Sequence, residues 1–577
     1  MKKILCVLIY LCILSFMGCK DKQKTEVTLP KTIASPELEG PVISMPSFEF
    51  REVAEEMGVN FSHRNGAKGE KWFPETMMGG IGFFDYNNDG YADLVAVCGS
   101  SVEERSNGST NNIVLYKNEA GKQFIDVTDQ VGLVFKGYGM GVTIGDYDGD
   151  GFDDLYITAY GKNKLFKNMG GQSFKDVSKD MAIGGKESDF STAATFIDID
   201  HDGDLDLFSG DYLDWSIEKD NKINVTFDGK QKLYPHPNLF KGVPSKIYIN
   251  RYPKPFEERI LGTGQTVLTK ALGVLPIDIN GDTHIDFVVA NDSIKNSAFI
   301  NDGNGNFTEM ADEMGLSYNN LGLPTAAMGI DGAWLGKQNK FYIAMGNFSN
   351  EMSSFYQYED AGFFVDISPL IGIGAPTREA FTFGVMFADL DLDGHDDYIQ
   401  ANGDVDPDIA KIQSQLSYKQ SPQIFWQCQK EGCERQFLLL SNPQVGDLAE
   451  KIVGRGIALA DIDHDGDLDL AVSSIQENIR IYRNDSDRVN NWIGFALDAG
   501  EKNRKGIGSV ISVKYQDRHQ KKMMMPTKGY LSHSESVVYF GLGDITEIDS
   551  VEIQWPDGKI MTMEGLAANQ RHFIKYQ

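Results

Sequence analysis

Residues Asp461–Asp469 read D-I-D-H-D-G-D-L-D, and the chain repeats the pattern at Asp85–Asp93, Asp146–Asp154, Asp198–Asp206, Asp278–Asp286 and Asp389–Asp397. Carboxylate or amide oxygens fall at positions 1, 3, 5 and 9 of every copy. The candidate ligands are therefore Asp85, Asn87, Asp89 and Asp93; Asp146, Asp148, Asp150 and Asp154; Asp198, Asp200, Asp202 and Asp206. The later copies give Asp278, Asn280, Asp282 and Asp286; Asp389, Asp391, Asp393 and Asp397; and Asp461, Asp463, Asp465 and Asp469. Calcium takes about 6–8 oxygen ligands at roughly 2.3–2.6 Å, and a loop that turns every second side chain inward can wrap it. Position 6 is Gly90, Gly151, Gly203, Gly394 or Gly466, where the chain must turn sharply around an ion. Thr283 is the exception, so the fourth site is expected to be strained or weaker. An EF-hand would close with a Glu at position 12 between helices. Here strand-like sequence such as D-L-V-A-V or D-L-A-V-S follows position 8, so these are read as strand–loop–strand calcium sites, six in all.

Asp, Asn and Gly are also ordinary turn residues. Six copies with the same four positions filled favour calcium over bare turns. The loops hold 22 Asp carboxylates at ligand positions. Carboxylates ~4–5 Å apart repel by a few kcal/mol even at an effective dielectric of ~20, so without a cation the loops should splay.

The chain has 577 residues, 41% of them hydrophobic, enough for a large core and more than one domain. Its formal charge of −29 repels nucleic acid and anionic membranes, and no basic patch stands out. The start, M-K-K followed by apolar Ile4–Phe16, reads as a secretion signal, too short to span a bilayer core that needs about 20 residues. Gly18-Cys19 resembles the end of a bacterial lipobox, although Phe16 and Met17 depart from its usual residues. A lipoprotein signal peptide over 1–18 is expected, with Cys19 lipidated. K-D-K-Q-K (Lys20–Lys24) resembles the charged stretch of surface-exported Bacteroidota lipoproteins, and 19–47 reads as a flexible tether. The expected location is the outer membrane or cell surface, with membrane contact only through the lipid anchor. Cys428 and Cys433 flank Q-K-E-G and could form a disulfide or remain two thiols; Cys98 ends an apolar strand and is expected to be buried.

From Phe48 onward a unit of four strands recurs. A small-residue strand such as G-M-G-V-T-I (Gly139–Ile144) leads into the Asp loop and a second apolar strand. A third strand ends in a Tyr/Phe-x-Asn-like signature, as in I-V-L-Y-K-N, N-K-L-F-K-N and I-R-I-Y-R-N, and a fourth resembles F-I-D-V-T. Such spacing is the signature of propeller blades. Seven third strands accompany six Asp loops. The missing loop falls at Gly329–Phe341, where Asp331 keeps position 1 but Ala333 and Leu335 replace the next ligands. Phe48–Ala54 would supply the last fourth strand and close the ring. The expected fold is all-β: a seven-bladed β-propeller over 48–490 with calcium-binding blade loops, then a small β domain over 491–577.

The repeats resemble FG-GAP/VCBS repeats, the calcium-bearing blades also found in integrin α-subunit heads. N-R-K-G-I-G-S (Asn503–Ser509), G-Y-L-S-H-S (Gly529–Ser534), F-G-L-G (Phe540–Gly543) and V-E-I-Q-W-P-D-G-K (Val551–Lys559) make the tail resemble an ASPIC/UnbV domain. With H-R-N-G-A-K-G-E-K-W-F-P-E-T-M at His63–Met77, nearly the whole chain is similar to bacterial relatives of cartilage acidic protein. The resemblance implies architecture and calcium more than an activity.

Strand order places the long connections between second and third strands, Gly99–Asn112, Gly210–Ser245 and Gly403–Ser421, on the face opposite the Asp loops. The middle one carries Tyr212, Trp215, Tyr234, His236 and Phe240, which could meet a sugar or protein partner or could pack as a mini-core. No CxxC, HExxH, P-loop, GxSxG or dinucleotide motif stands in a credible context. The expectation is a non-enzymatic, calcium-stabilised, surface-anchored binding or adhesion module for a glycan or extracellular protein. The alternative is a carbohydrate-active enzyme of polysaccharide-lyase type, with Tyr234, His236 and Lys241 as candidates by location alone.

Overall fold

The computed structural model describes residues 43–576 apart from 106–107, 224, 228, 263–265 and 488. The expected signal peptide, Cys19 and most of the expected 19–47 tether lie outside the described residues. Among the described residues, no helix is long and apolar enough to cross a membrane.

The fold is nearly all-β. Sheet 1 is Ile81–Phe84, Asp93–Val97, Ile113–Asn118 and Phe124–Asp126, paired antiparallel in that order. Sheets 2 to 6 repeat the meander, with innermost strands Tyr138–Gly145, Ser191–Ile197, Ala271–Ile277, Ile330–Leu335 and Thr382–Ala388. Sheet 7 takes Gly454–Ala460, Asp469–Ser474 and Arg480–Asn484 from one end of the chain and Phe50–Glu52 from the other, with Phe50 opposite Asn484. That N-terminal strand covers an edge that would otherwise expose unpaired backbone groups.

Each innermost strand packs against that of the next sheet, and the strand of sheet 7 returns to that of sheet 1. Small residues allow this approach. A Cβ on Gly456 would lie 2.5 Å from both the Gly79 carbonyl and the Ser532 hydroxyl. Larger apolar side chains fill the space between sheets, as in the cluster of Val95, Leu115, Val142, Ile144, Leu155 and Ile157 between sheets 1 and 2.

Two further sheets form the C-terminal part. One orders Val538–Gly543, Asn491–Asp498 and Arg571–Lys575; the other orders Arg518–Met523, Val510–Tyr515, Glu547–Gln554 and Ile560–Ala567. Ile493, Phe495, Ile511, Val513, Phe540, Val551 and Ile553 are buried between them. Ile560–Ala567 is the outer strand of the second sheet, and its partly buried Met561, Met563 and Leu566 pack against that core.

The tail reaches into the ring. Ser532 and His533 pair in parallel with Ile81 and Gly82, and Gly529 bridges Ile330 across the centre. Tyr530 is fully buried, donates its hydroxyl to the Met77 carbonyl and meets Phe383 edge-on at 5.0 Å. The G-Y-L-S-H-S motif is thus the segment that fills the central channel from the Asp-loop side.

Candidate metal centres

Each Asp loop joins the first strand of its sheet to the second, and its backbone turns through two left-handed residues. Position 4 lies at φ 58 to 78° (Asn88, Gly149, His201, Gly281, Leu392, His464), and the five position-6 glycines lie at φ 90 to 99°. Asn, Gly and His, which tolerate this region, fill position 4 in five loops, and Leu392 is the exception. Thr283 follows the glycines at φ 75°. A left-handed conformation costs an L-residue roughly 1–2 kcal/mol, and β-branched residues tolerate it worst. Thr283→Gly is expected to stabilise the protein by up to about 1 kcal/mol, the relief being offset by glycine's backbone entropy. Urea unfolding in calcium reads this directly, and a destabilised variant would show that the loop is not strained.

The turn aims its carboxylates inward by backbone hydrogen bonds. In loop 1 the Asp85 carboxylate accepts from the amides of Asp89 and Gly90 at 3.0 and 2.7 Å. Asp146, Asp389 and Asp461 each repeat both bonds, and Asp198 accepts from Gly203. Four loops bring three carboxylate oxygens within 4.8 Å of one another: Asp146, Asp148 and Asp154; Asp198, Asp200 and Asp206; Asp389, Asp391 and Asp393; and Asp461, Asp463 and Asp465. Loops 1 and 4 carry Asn87 and Asn280 at position 3, and there the amide donates to Asp89 and Asp282 at 3.0 and 2.9 Å.

Position 9 does more than face the loop. Asp93 is fully buried, and its two oxygens accept from the amides of Tyr86 and Asn118. Asp154, Asp206, Asp286 and Asp469 repeat the pattern with Asn168, Asn250, Asn301 and Asn484. These asparagines end the third strands, and each sends its side-chain amide to the position-2 carbonyl of the preceding sheet's loop. Asn118 reaches Ile462, Asn168 reaches Tyr86, Asn250 reaches Tyr147, Asn301 reaches Ile199 and Asn484 reaches Leu390. The Tyr/Phe-x-Asn signature is therefore a staple from one metal loop to the next, a role the sequence displayed without explaining. Asn168→Ala would leave the Tyr86 and Asp153 carbonyls without this partner, and a loss of about 2–3 kcal/mol is expected in urea unfolding.

Electrostatics favour a cation. Burial, reinforced by the neighbouring carboxylates, pushes Asp93 up to about 8 and Asp146 and Asp198 up to about 7. Asp154, Asp206, Asp389, Asp397 and Asp469 are driven well above the usual carboxylate range by the same causes. Oxygens of Asp148, Asp198, Asp200, Asp204 and Asp393 are buried without a hydrogen-bond partner. Buried anionic oxygens without partners are costly, and a hard cation is the group that satisfies several at once. The donor set fits calcium: Asp146, Asp148 and Asp154, and their counterparts, would hold it, and the ion would supply charge neutralisation and a fixed turn.

Basic side chains supply part of that charge. Lys167 pairs with Asp148 and Asp150, and Arg251 with Asp200 at 3.1 Å. Others come from the C-terminal part, which covers this face: Arg571 pairs with Asp461 at 3.1 Å, Lys502 with Asp204 at 3.6 Å and Lys522 with Asp396. Asp331 is not the first ligand of a lost loop. It lies within the strand Ile330–Leu335, buried opposite Ala344, and pairs with Lys528 at 3.2 Å.

On the opposite face the long connections pack together. Tyr212, Trp215 and Phe240 are buried, with Phe73 of the His63–Met77 segment against Tyr212 and Phe240 at 5.8 Å. These three are core, so they do not form the exposed aromatic rim that sequence allowed; apolar rings this large gain most by leaving water. Tyr234 donates to Glu75 at 2.9 Å, and His236 accepts from the Asn238 amide, so both hold the connection's own fold. Lys71 joins the His63–Met77 segment to the third connection through Asp406 at 2.7 Å. Cys428 and Cys433 are paired, with Cα atoms 6.2 Å apart, and Cys98 is a buried free thiol.

Comparison with known proteins agrees with this architecture. Residues 85–157 and 146–209 match the FG-GAP-like repeat, and 499–577 match the ASPIC and UnbV family. The chain is similar to cartilage acidic protein 1 of Mus musculus, 24% identical over 521 residues, covering 85% of this chain and 72% of the relative. The Homo sapiens protein of that name is 24% identical over 526 residues, covering 85% and 70%. A solved Agrocybe aegerita lectin that recognises non-reducing terminal N-acetylglucosamine aligns over 65% of this chain and 88% of its own. Its 13% identity and TM-score of 0.37 are too loose to carry an argument.

Proposed function

We propose that this chain, FG-GAP-like repeats followed by an ASPIC and UnbV domain as in cartilage acidic protein 1, is a calcium-stabilised, exported binding module without catalytic activity. The carrying observation is the set of buried carboxylate oxygens left without partners in repeated, identically turned loops. Such loops would serve as clamps, since ions held by them would fix the face that the C-terminal part covers through Arg571, Lys502 and Lys522. Both ends of the channel are filled, one by Tyr530 and the other by the packed connections, which favours recognition at the surface over chemistry in a central cavity. A signal peptide with Cys19 as lipid anchor accords with this reading, as does an extracellular glycan or protein partner. The test is a glycan array and a panel of extracellular proteins probed with the chain in calcium and again in EGTA. Specific capture that disappears in EGTA is expected. Turnover of any captured glycan would replace this reading with the lyase one.

A further inference from the structure

We propose that a pocket at the seam of sheets 5 and 6 and the C-terminal strand Arg518–Met523 binds a sulfated saccharide. The proposal rests on the binding-module reading and names a ligand class for it. The pocket has a volume of about 310 Å³, room for a sugar ring and more than an inorganic ion needs. In a chain of net charge −29, its lining carries Lys337, Arg518, Lys521 and Lys522 against only Asp396 and Asp517. Lys522 engages Asp396, and Arg518 donates to the Asp393 carbonyl at 2.9 Å. Lys337 and Lys521 form no ion pair among the described residues. The Lys521 ammonium instead lies 4.5 Å from the centre of the Trp334 ring.

The repeat itself explains why the site is here. Five third strands end in an asparagine whose amide reaches the loop of the preceding sheet. The third strand of sheet 6 ends in Gln427, whose backbone amide still donates to Asp397 at 2.9 Å. Sheet 5 has a plain turn at Gly336 in place of an Asp loop, so the acceptor carbonyl is missing. Gln427 is 1% exposed, lines the pocket, and both of its side-chain amide atoms lack a hydrogen-bond partner. Losing one loop thus removes a carboxylate set, frees a buried amide and opens a basic recess. The walls are fastened in place, with Asn339 of the turn donating to the His519 carbonyl at 2.8 Å.

The chemistry matches a sugar bearing one fixed negative charge. Lysine and arginine donate charge-assisted hydrogen bonds to a sulfate ester, and the Gln427 amide can both donate to and accept from hydroxyls. The two carboxylates in the lining disfavour a phosphate monoester, which carries about −1.5 to −2 at neutral pH.

Calorimetric titration of the calcium-loaded full chain with N-acetylglucosamine 6-sulfate, the unsulfated sugar, the 6-phosphate and inorganic sulfate tests this. The sulfated sugar is expected to bind at least about tenfold more tightly than each of the others, with Lys521→Gln and Lys337→Gln each weakening it about tenfold. Lys337 is exposed, so its variant should melt as the parent does, and it carries the test if Lys521→Gln fails to fold. Equal binding of sulfated and unsulfated sugar, preference for the phosphate, or full affinity in the Lys337→Gln variant would overturn the proposal. The parent's melt in calcium and EGTA distinguishes that failure from failure of the calcium reading.

Discussion

Removing calcium lowers the melting temperature of the folded unit by on the order of 10 °C. The magnitude follows from linkage: an ion at a hundred times its dissociation constant adds about 2.7 kcal/mol per site, so the four three-carboxylate loops together add roughly 11 kcal/mol. Domains of about 150–250 residues shift by some 2–4 °C per kcal/mol, and this larger unit shifts less for each. The effect has a defined pH sign. Without calcium, burial holds Asp93 near 8 and Asp146, Asp198 and Asp286 near 7, above their unfolded values. The folded, metal-free state therefore binds more protons than the unfolded state between about pH 4 and 8, and its stability falls as pH rises through that window. Calcium replaces those protons. The calcium-induced shift should be small near pH 5 and full above pH 8, read by thermal melts of dialysed protein with and without added calcium. A metal-free protein that grows more stable from pH 5 to 8 would refute the electrostatic account, and equal melts with and without calcium would refute the metal assignment.

Tyr530→Ala is the single substitution expected to cost most outside the loops, about 3–5 kcal/mol for a fully buried ring. It removes the edge-on contact with Phe383 and leaves the Met77 carbonyl without its hydroxyl donor. Tyr530 also ties the C-terminal part to the ring, because Gly529, Ser532 and His533 on either side of it pair with strands of sheets 5 and 1. The variant should therefore unfold in two steps where the parent unfolds in one. Tyr530→Phe should lose only about 1–3 kcal/mol, the cost of the unsatisfied carbonyl, and keep the single transition. A parent-like melt of Tyr530→Ala would mean that the channel segment is dispensable.

Much of this molecule was legible in its repeats. Short apolar strands and the Asp-x-Asp-x-Asp-Gly spacing are local patterns, which survive in a linear sequence, and counting the repeated fourth strands pointed to the N-terminal strand that pairs Phe50 with Asn484. The burial of Tyr212, Trp215 and Phe240 was not legible, because an aromatic residue in a connection has the same sequence signature whether it faces solvent or Phe73. Asp331 was misread for a related reason: it shares its residue type with a loop ligand, but its strand continues past it to Leu335 and pairs it with Lys528.

By itself, then, the sequence determined the all-β class, the loops in which acidic residues recur, and the one repeat that lacks such a loop, since each follows from residue pattern and charge within a few residues. Only the tertiary structure decided what the Tyr/Phe-x-Asn asparagines do, how the tail seals the ring through Tyr530, and where a basic pocket opens beside Gln427. Those outcomes depend on groups tens to hundreds of residues apart meeting in space, where a buried amide or carbonyl must find whichever partner the packing brings to it.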